Sequence, residues 1–122
     1  ALVSIHVNAA DKGDKWMDAR GFAVYTSNGQ TKSDILAEYM VDAARVHHKG
    51  RKIRTDKSDG DSDWEASFEV LSKTKCAAVL VENFFMDNRD DLAYITSPEG
   101  KRAVVMTMVD AIAKYVEMYM TS

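Results

Sequence analysis

Ala77-Ala78-Val79-Leu80-Val81-Glu82 decides the fold. Five apolar residues run together without alternation and end on a carboxylate. A strand with one wet face alternates polar and apolar side chains, whereas an unbroken apolar run fits a strand covered on both faces. Such strands sit in the middle of α/β layers, usually with parallel neighbours.

The flanking segments supply those neighbours. Upstream, Leu2-Val3-Ser4-Ile5-His6-Val7 is a short β-branched run, and Gly21-Phe22-Ala23-Val24-Tyr25-Thr26-Ser27 is a second strand closed by the turn dipeptide Asn28-Gly29. Between them lies a polar loop, Asn8 to about Arg20, holding Gly13 and Trp16. A helix follows from a loose capping box, Thr31 with Asp34, with Ile35, Leu36, Tyr39, Met40, Ala43 and Val46 on one face and a stop at Gly50. Arg51 to Arg54 reads as a short edge strand, and Trp64, Phe68 and Leu71 share the spacing of a short amphipathic helix. Downstream of Glu82, a polar turn from Asp87 to Asp91 leads to a short helix around Leu92. The last helix is capped by Ser97 with Pro98 at its first position and Glu99 in its first turn; Val105, Met108, Val109, Ile112, Val116 and Tyr119 form its apolar stripe. The expected fold is a three-layer α/β domain with a central, largely parallel sheet flanked by helices. The chain opens directly in a strand, so we expect a partial domain over residues 1–122 that lacks its N-terminal strand or strands. The bared sheet edge then invites self-association.

Composition narrows the function. At 122 residues and 46% apolar content the chain makes one ordinary globular domain. A net charge of -3 with no basic face argues against a nucleic-acid partner. No apolar stretch reaches the roughly 20 residues of a membrane span. Cys76 is the one cysteine, which rules out an internal disulfide, and beside an apolar strand it reads as an inert small residue.

Two polar residues end apolar strands, His6 and Glu82. Ligand crevices of open α/β sheets lie beyond the carboxyl ends of strands. A histidine there offers a metal ligand, and a glutamate offers a general base. The plain alternative for His6 is a hydrogen-bonded structural role.

Ser4-Ile5-His6-Val7-Asn8 resembles the SIHxN segment of the amidase-3 family of cell-wall amidases, the zinc-dependent N-acetylmuramoyl-L-alanine amidases. The segment from Gly21 to Ser27 resembles that family's next strand. Ser33-Asp34 with Leu36-Ala37 resembles the following helix start. Lys73 to Asn88 resembles the strand bearing the catalytic glutamate and its turn, and Ser97-Pro98-Glu99-Gly100 the start of the last helix. All five segments fall in the family's order.

The resemblance implies a peptidoglycan hydrolase that cuts the amide between N-acetylmuramic acid and L-alanine with zinc-activated water. It implies His6 as a zinc ligand and Glu82 as the catalytic acid/base. Asn8 and Asn83, within the matching segments, are candidate substrate-binding residues, and Arg54 is a further candidate because arginine grips carboxylates such as those of the peptide stem, with a plain surface arginine as the alternative. The family's other zinc ligands fall upstream of Ala1, so we expect weak zinc binding and little activity from these residues alone. The implied partners are peptidoglycan or muropeptides, and the implied setting is periplasmic, extracellular or phage-released. A non-catalytic peptidoglycan-binding remnant and another zinc peptidase, such as a carboxypeptidase, are the competing readings. The family commonly has glycine where this chain has Phe84. His47 and His48 read as cations complementing a helix C-terminus, and the Asp56 to Asp63 loop as a solvated turn that fails the calcium-loop template.

Overall fold

A computed structural model describes residues 1–26, 32–54, 64, 65 and 75–119. Its elements are β1 (Leu2–Asn8), β2 (Phe22–Thr26), α1 (Lys32–His47), β3 (Trp64–Glu65), β4 (Ala78–Phe85), α2 (Arg89–Thr96) and α3 (Pro98–Tyr119). The four strands form one sheet in the order β1-β4-β2-β3. β4 is therefore central, as its apolar run implies, and both of its faces are buried: Val79 and Val81 on one side, Ala78 and Leu80 on the other.

β1 pairs parallel with β4, and β2 parallel with β3, while β2 and β4 are antiparallel. The combination of a central sheet with helices follows the expectation, with this one antiparallel ladder inside it; among the described residues α1 and α3 both pack on the sheet face of Val79 and Val81. The cause of that ladder is the connection: a loop, with no crossover helix, joins β1 to β2, whereas the parallel pair β2–β3 is bridged through α1. Residues 51–54 make a single bridge, Ile53 to Phe22, rather than a strand. The Phe22 N–H donates to Lys52 O at 2.9 Å, and the Arg54 N–H donates to Phe22 O at 2.7 Å. Gly21 permits this approach, since a Cβ there would stand 2.8 Å from Arg54 Cγ on a backbone with φ of +119°.

One core joins the sheet to the helices. Phe22, Val24, Val79, Val81 and Phe84 meet Leu36, Ala37, Met40, Val41 and Ala44 of α1 and Met108, Ala111 and Tyr115 of α3. The buried stripe of α1 is rotated from the one expected, and Val46 is 69% exposed. Polar anchors set that rotation. Ser33 Oγ accepts the Ala78 N–H at 2.9 Å, and Thr26 Oγ1 donates to Asp34 Oδ1 at 3.1 Å, which turns the first helical turn inward.

The stripe of α3 also differs. Gly100, Ala103, Thr107, Met108, Ala111 and Tyr115 face inward, whereas Val105, Val109, Ile112, Val116 and Tyr119 are exposed. Close approach outweighs side-chain size here: a Cβ on Gly100 would lie 1.8 Å from Tyr94 O, so the small-residue face is the one that fits. The helix start is as the cap predicts, with Ser97 Oγ accepting the Gly100 N–H at 3.0 Å. The helix expected from Trp64 is instead strand at Trp64–Glu65; Phe68, Leu71, the Asn28-Gly29 turn, Thr31 and the Asp56 to Asp63 loop lie outside the described residues. Cys76 is exposed at the mouth of β4 rather than packed away.

Candidate functional site

The parallel ladder sets His6 directly opposite Glu82. Neighbouring strands lie about 4.8 Å apart, and paired residues of a parallel ladder point to the same face. Antiparallel pairing adds Ala23 opposite Glu82 and Tyr25 opposite Leu80. Phe22 and Val24 fill the helical core, so Ala23 and Tyr25 occupy the other face. His6, Glu82 and Tyr25 thus share the sheet face away from the helices, with His6 and Glu82 near the carboxyl ends of β1 and β4.

Chemistry converges there. The His6 Nε2 and Ser4 Oγ are 2.9 Å apart, which orients the imidazole. Glu82 Oε2 is buried and has no hydrogen-bond partner. Burial pushes the Glu82 carboxyl above the usual range, and the charge of His6 opposes the rise. The Tyr25 phenol is raised by burial, with Arg54 pulling it back and Glu82 pushing it further. Tyr25 also bonds to the Asn8 side chain. Asn8 and Arg54 therefore gather around the Tyr25 phenol, and the Arg54 guanidinium lies 5.1 Å from the Phe85 ring centroid.

Asn83 is placed differently. It is 2% exposed, and its Nδ2 donates to His6 O at 3.2 Å, so it pins β1 to β4 beneath the crevice. The next residue, Phe84, has φ of +71°, a left-handed conformation costly for a residue with a Cβ. That backbone explains why glycine suits the position. Here a phenylalanine is retained because its ring packs against Phe22, His48 and Tyr94, with centroids 6.2, 4.9 and 5.3 Å away.

The two histidines at the end of α1 separate in role. His47 pairs with Asp110 of α3. His48 is buried rather than a cation at the helix end: its Nδ1 lies 2.7 Å from the Tyr94 hydroxyl, and burial, with the charges of His47 and Arg51, drives its pKa down to about 4.

Several residues that build the site carry no sequence signal of their own. Asp91 Oδ2 accepts the N–H groups of Gly21 at 2.9 Å and Phe85 at 3.0 Å, tying the start of β2 to the end of β4. Asp87 accepts the N–H groups of Ala10 and Asp11, and these bonds outweigh burial and hold its carboxyl below the usual range. Both sit in a polar turn that composition alone presents as solvated. Tyr25 is also absent from the residues singled out above, and its one signal is its alternation with the core residue Val24.

Among the described residues, no group of three or more His, Cys, Asp or Glu side chains is placed to hold a metal ion. A catalytic zinc takes three protein ligands and keeps a fourth position open. One imidazole beside one unpartnered carboxylate falls short of that set, so these residues do not complete a zinc site.

The sequence profile of the amidase-3 family, N-acetylmuramoyl-L-alanine amidase, matches residues 1–114. The chain belongs to this family. Among solved structures it resembles the N-acetylmuramoyl-L-alanine amidase AmiC2 of Nostoc punctiforme, at 27% identity and a TM-score of 0.77 over 94% of this chain and 57% of that one. The fold also matches the N-acetylmuramoyl-L-alanine amidase of Clostridium difficile 630, at 24% identity and a TM-score of 0.81 over 97% of this chain and 58% of that one. The catalytic domain of CwlV from Bacillus (Paenibacillus) polymyxa var. colistinus matches at 23% identity and a TM-score of 0.76, over 94% and 56% of the two chains. No curated protein sequence matches. The chain thus spans less than two thirds of the length of the relatives it resembles. No helix among its described residues is long and apolar enough to cross a membrane.

Proposed function

We propose that this chain is part of the catalytic domain of a peptidoglycan amidase that hydrolyses the bond between N-acetylmuramic acid and L-alanine. The pairing of His6 with Glu82 on one open sheet face carries the reading. In the complete domain His6 is one zinc ligand, and the remaining ligands come from residues outside these 122. Zinc, when bound, polarises a carbonyl and lowers the pKa of a water toward neutrality.

The chain's own residues supply the rest. Glu82 holds protons more tightly than an ordinary carboxylate, which suits a group that takes a proton from water and returns it to the departing L-alanine amine. Arg54 meets the carboxylates of the peptide stem, Asn8 and Tyr25 line the approach to Glu82, and Asn83 acts through the backbone of His6. The setting that fits this substrate is the cell wall, whether the complete protein is periplasmic, extracellular or phage-released.

A second reading has its own observation. The short donor set favours a non-catalytic muropeptide-binding role for these 122 residues taken alone. β1 also lies at the end of the sheet with Ile5 59% exposed, so we further propose self-association along this edge.

Titration with muramyl dipeptide, followed by NMR, tests the shared core of both readings. Shifts at His6, Glu82, Tyr25 and Arg54 are expected; shifts confined to other surfaces contradict the site. Zinc binding well below one ion per chain, without turnover, is expected alongside. One tightly held ion with turnover contradicts the incomplete donor set.

A further inference from the structure

Just past the strand ends lies a hollow of about 440 Å³, lined by Gly13, Asp14, Lys15, Trp16, Met86 and Asp87. We propose that it is a saccharide subsite that seats the muramyl sugar, an inference that rests on the peptidoglycan reading above. Its volume falls in the range of small-ligand clefts, roughly 300–1,000 Å³.

Placement is the first support. The Met86 N–H donates to Asn8 O at 2.8 Å, so the hollow begins one residue beyond the paired ends of β1 and β4. Asn8 is two residues beyond His6, or roughly 7 Å along the strand. In the substrate the sugar is joined to the scissile amide through a single lactyl group, so a sugar subsite belongs at such a short remove.

The lining is the second. Trp16 is 47% exposed and Met86 49%, two large apolar side chains left open to water in one hollow. The Arg89 guanidinium covers the Trp16 ring at 4.6 Å, which fixes the indole plane. A pyranose presents a flat array of C–H groups that packs on such a plane, while its hydroxyl and acetamido groups reach Asp14 and Lys15 at the rim.

The hollow is also preorganised. Asp87 accepts from Ala10 and Asp11, the Met17 N–H donates to Asp87 O at 2.7 Å, and Asn88 Nδ2 donates to Met17 O at 3.1 Å. The loop is therefore held on both sides of Trp16.

The test uses the chain carrying Trp64→Phe, which leaves Trp16 as its one tryptophan. The peptide-free disaccharide of N-acetylglucosamine and N-acetylmuramic acid is titrated against Trp16 fluorescence and the Met86 methyl NMR signal; the sugar-free dipeptide L-alanyl-D-isoglutamine is titrated separately. The expected result is a saturable response to the disaccharide and none at these probes to the dipeptide. Adding Trp16→Ala should weaken disaccharide binding at the Met86 methyl by about tenfold. A response to the dipeptide instead, or unchanged affinity after Trp16→Ala, overturns the subsite. If the disaccharide fails here while muramyl dipeptide still shifts His6 and Glu82, the subsite is wrong and the amidase reading stands; if neither ligand binds, both fall.

Discussion

His6 and Glu82 are register partners on adjacent parallel strands, and the glutamate carries a buried oxygen with no hydrogen-bond partner. The functional reading depends on this relationship, and so does a measurable instability. The folded chain raises the carboxyl's pKa, so the protonated form is the one the fold prefers. Stability from this group is fully present below the ordinary glutamate range and is lost as pH rises through the folded value.

Glu82→Gln removes that loss. The variant should melt higher than the parent at pH 7, and the gain should vanish below about pH 4, where the parent glutamate is protonated in both states. Thermal melts across that range check it; a variant less stable at pH 7 would mean the carboxylate is well satisfied in the fold.

Phe84 sets backbone strain against packing. Phe84→Ala keeps the left-handed φ and loses the ring, at a cost of about 3–5 kcal/mol. Phe84→Gly loses the same ring but relieves roughly 1 kcal/mol of strain. The glycine variant should therefore be the more stable of the two by about that amount, the reverse of their usual order. Denaturant unfolding of both variants decides it.

His48 makes the fold sensitive to acid. Its pKa of about 4 in the folded state lies below the ordinary histidine value, so its contribution is present above pH 6.5 and lost as pH falls toward 4. A depression of this size corresponds to on the order of 3 kcal/mol. His48→Gln, which can keep the bond to Tyr94, should lower stability at pH 7 yet flatten the decline between pH 6.5 and 4. An unchanged slope contradicts the assignment.

Much of this architecture is readable from the chain. The unbroken apolar run at 77–81 marks the central strand, and strand-end polarity singles out His6 and Glu82. The helix faces are not readable in the same way. Counting large apolar residues selects Val105, Val109 and Ile112, whereas packing selects Gly100, Ala103 and Ala111, because contact distance between elements rather than side-chain volume sets the fit. Polar residues mislead for a related reason: Ser33, Asp34, Asp87 and Asp91 look solvated until their backbone partners are known. Asn83 and Asn8 look alike in sequence, yet the pleat sends one beneath β1 and sets the other beside Tyr25.

The most direct test is a carbon-13 NMR titration of the Glu82 carboxyl in the parent chain and in His6→Ala. The parent value should lie above the ordinary glutamate range and rise further in the variant, because a neighbouring positive charge that favours the carboxylate has been removed. An ordinary value in the parent, or no change on removing His6, would show that the two side chains do not share a site.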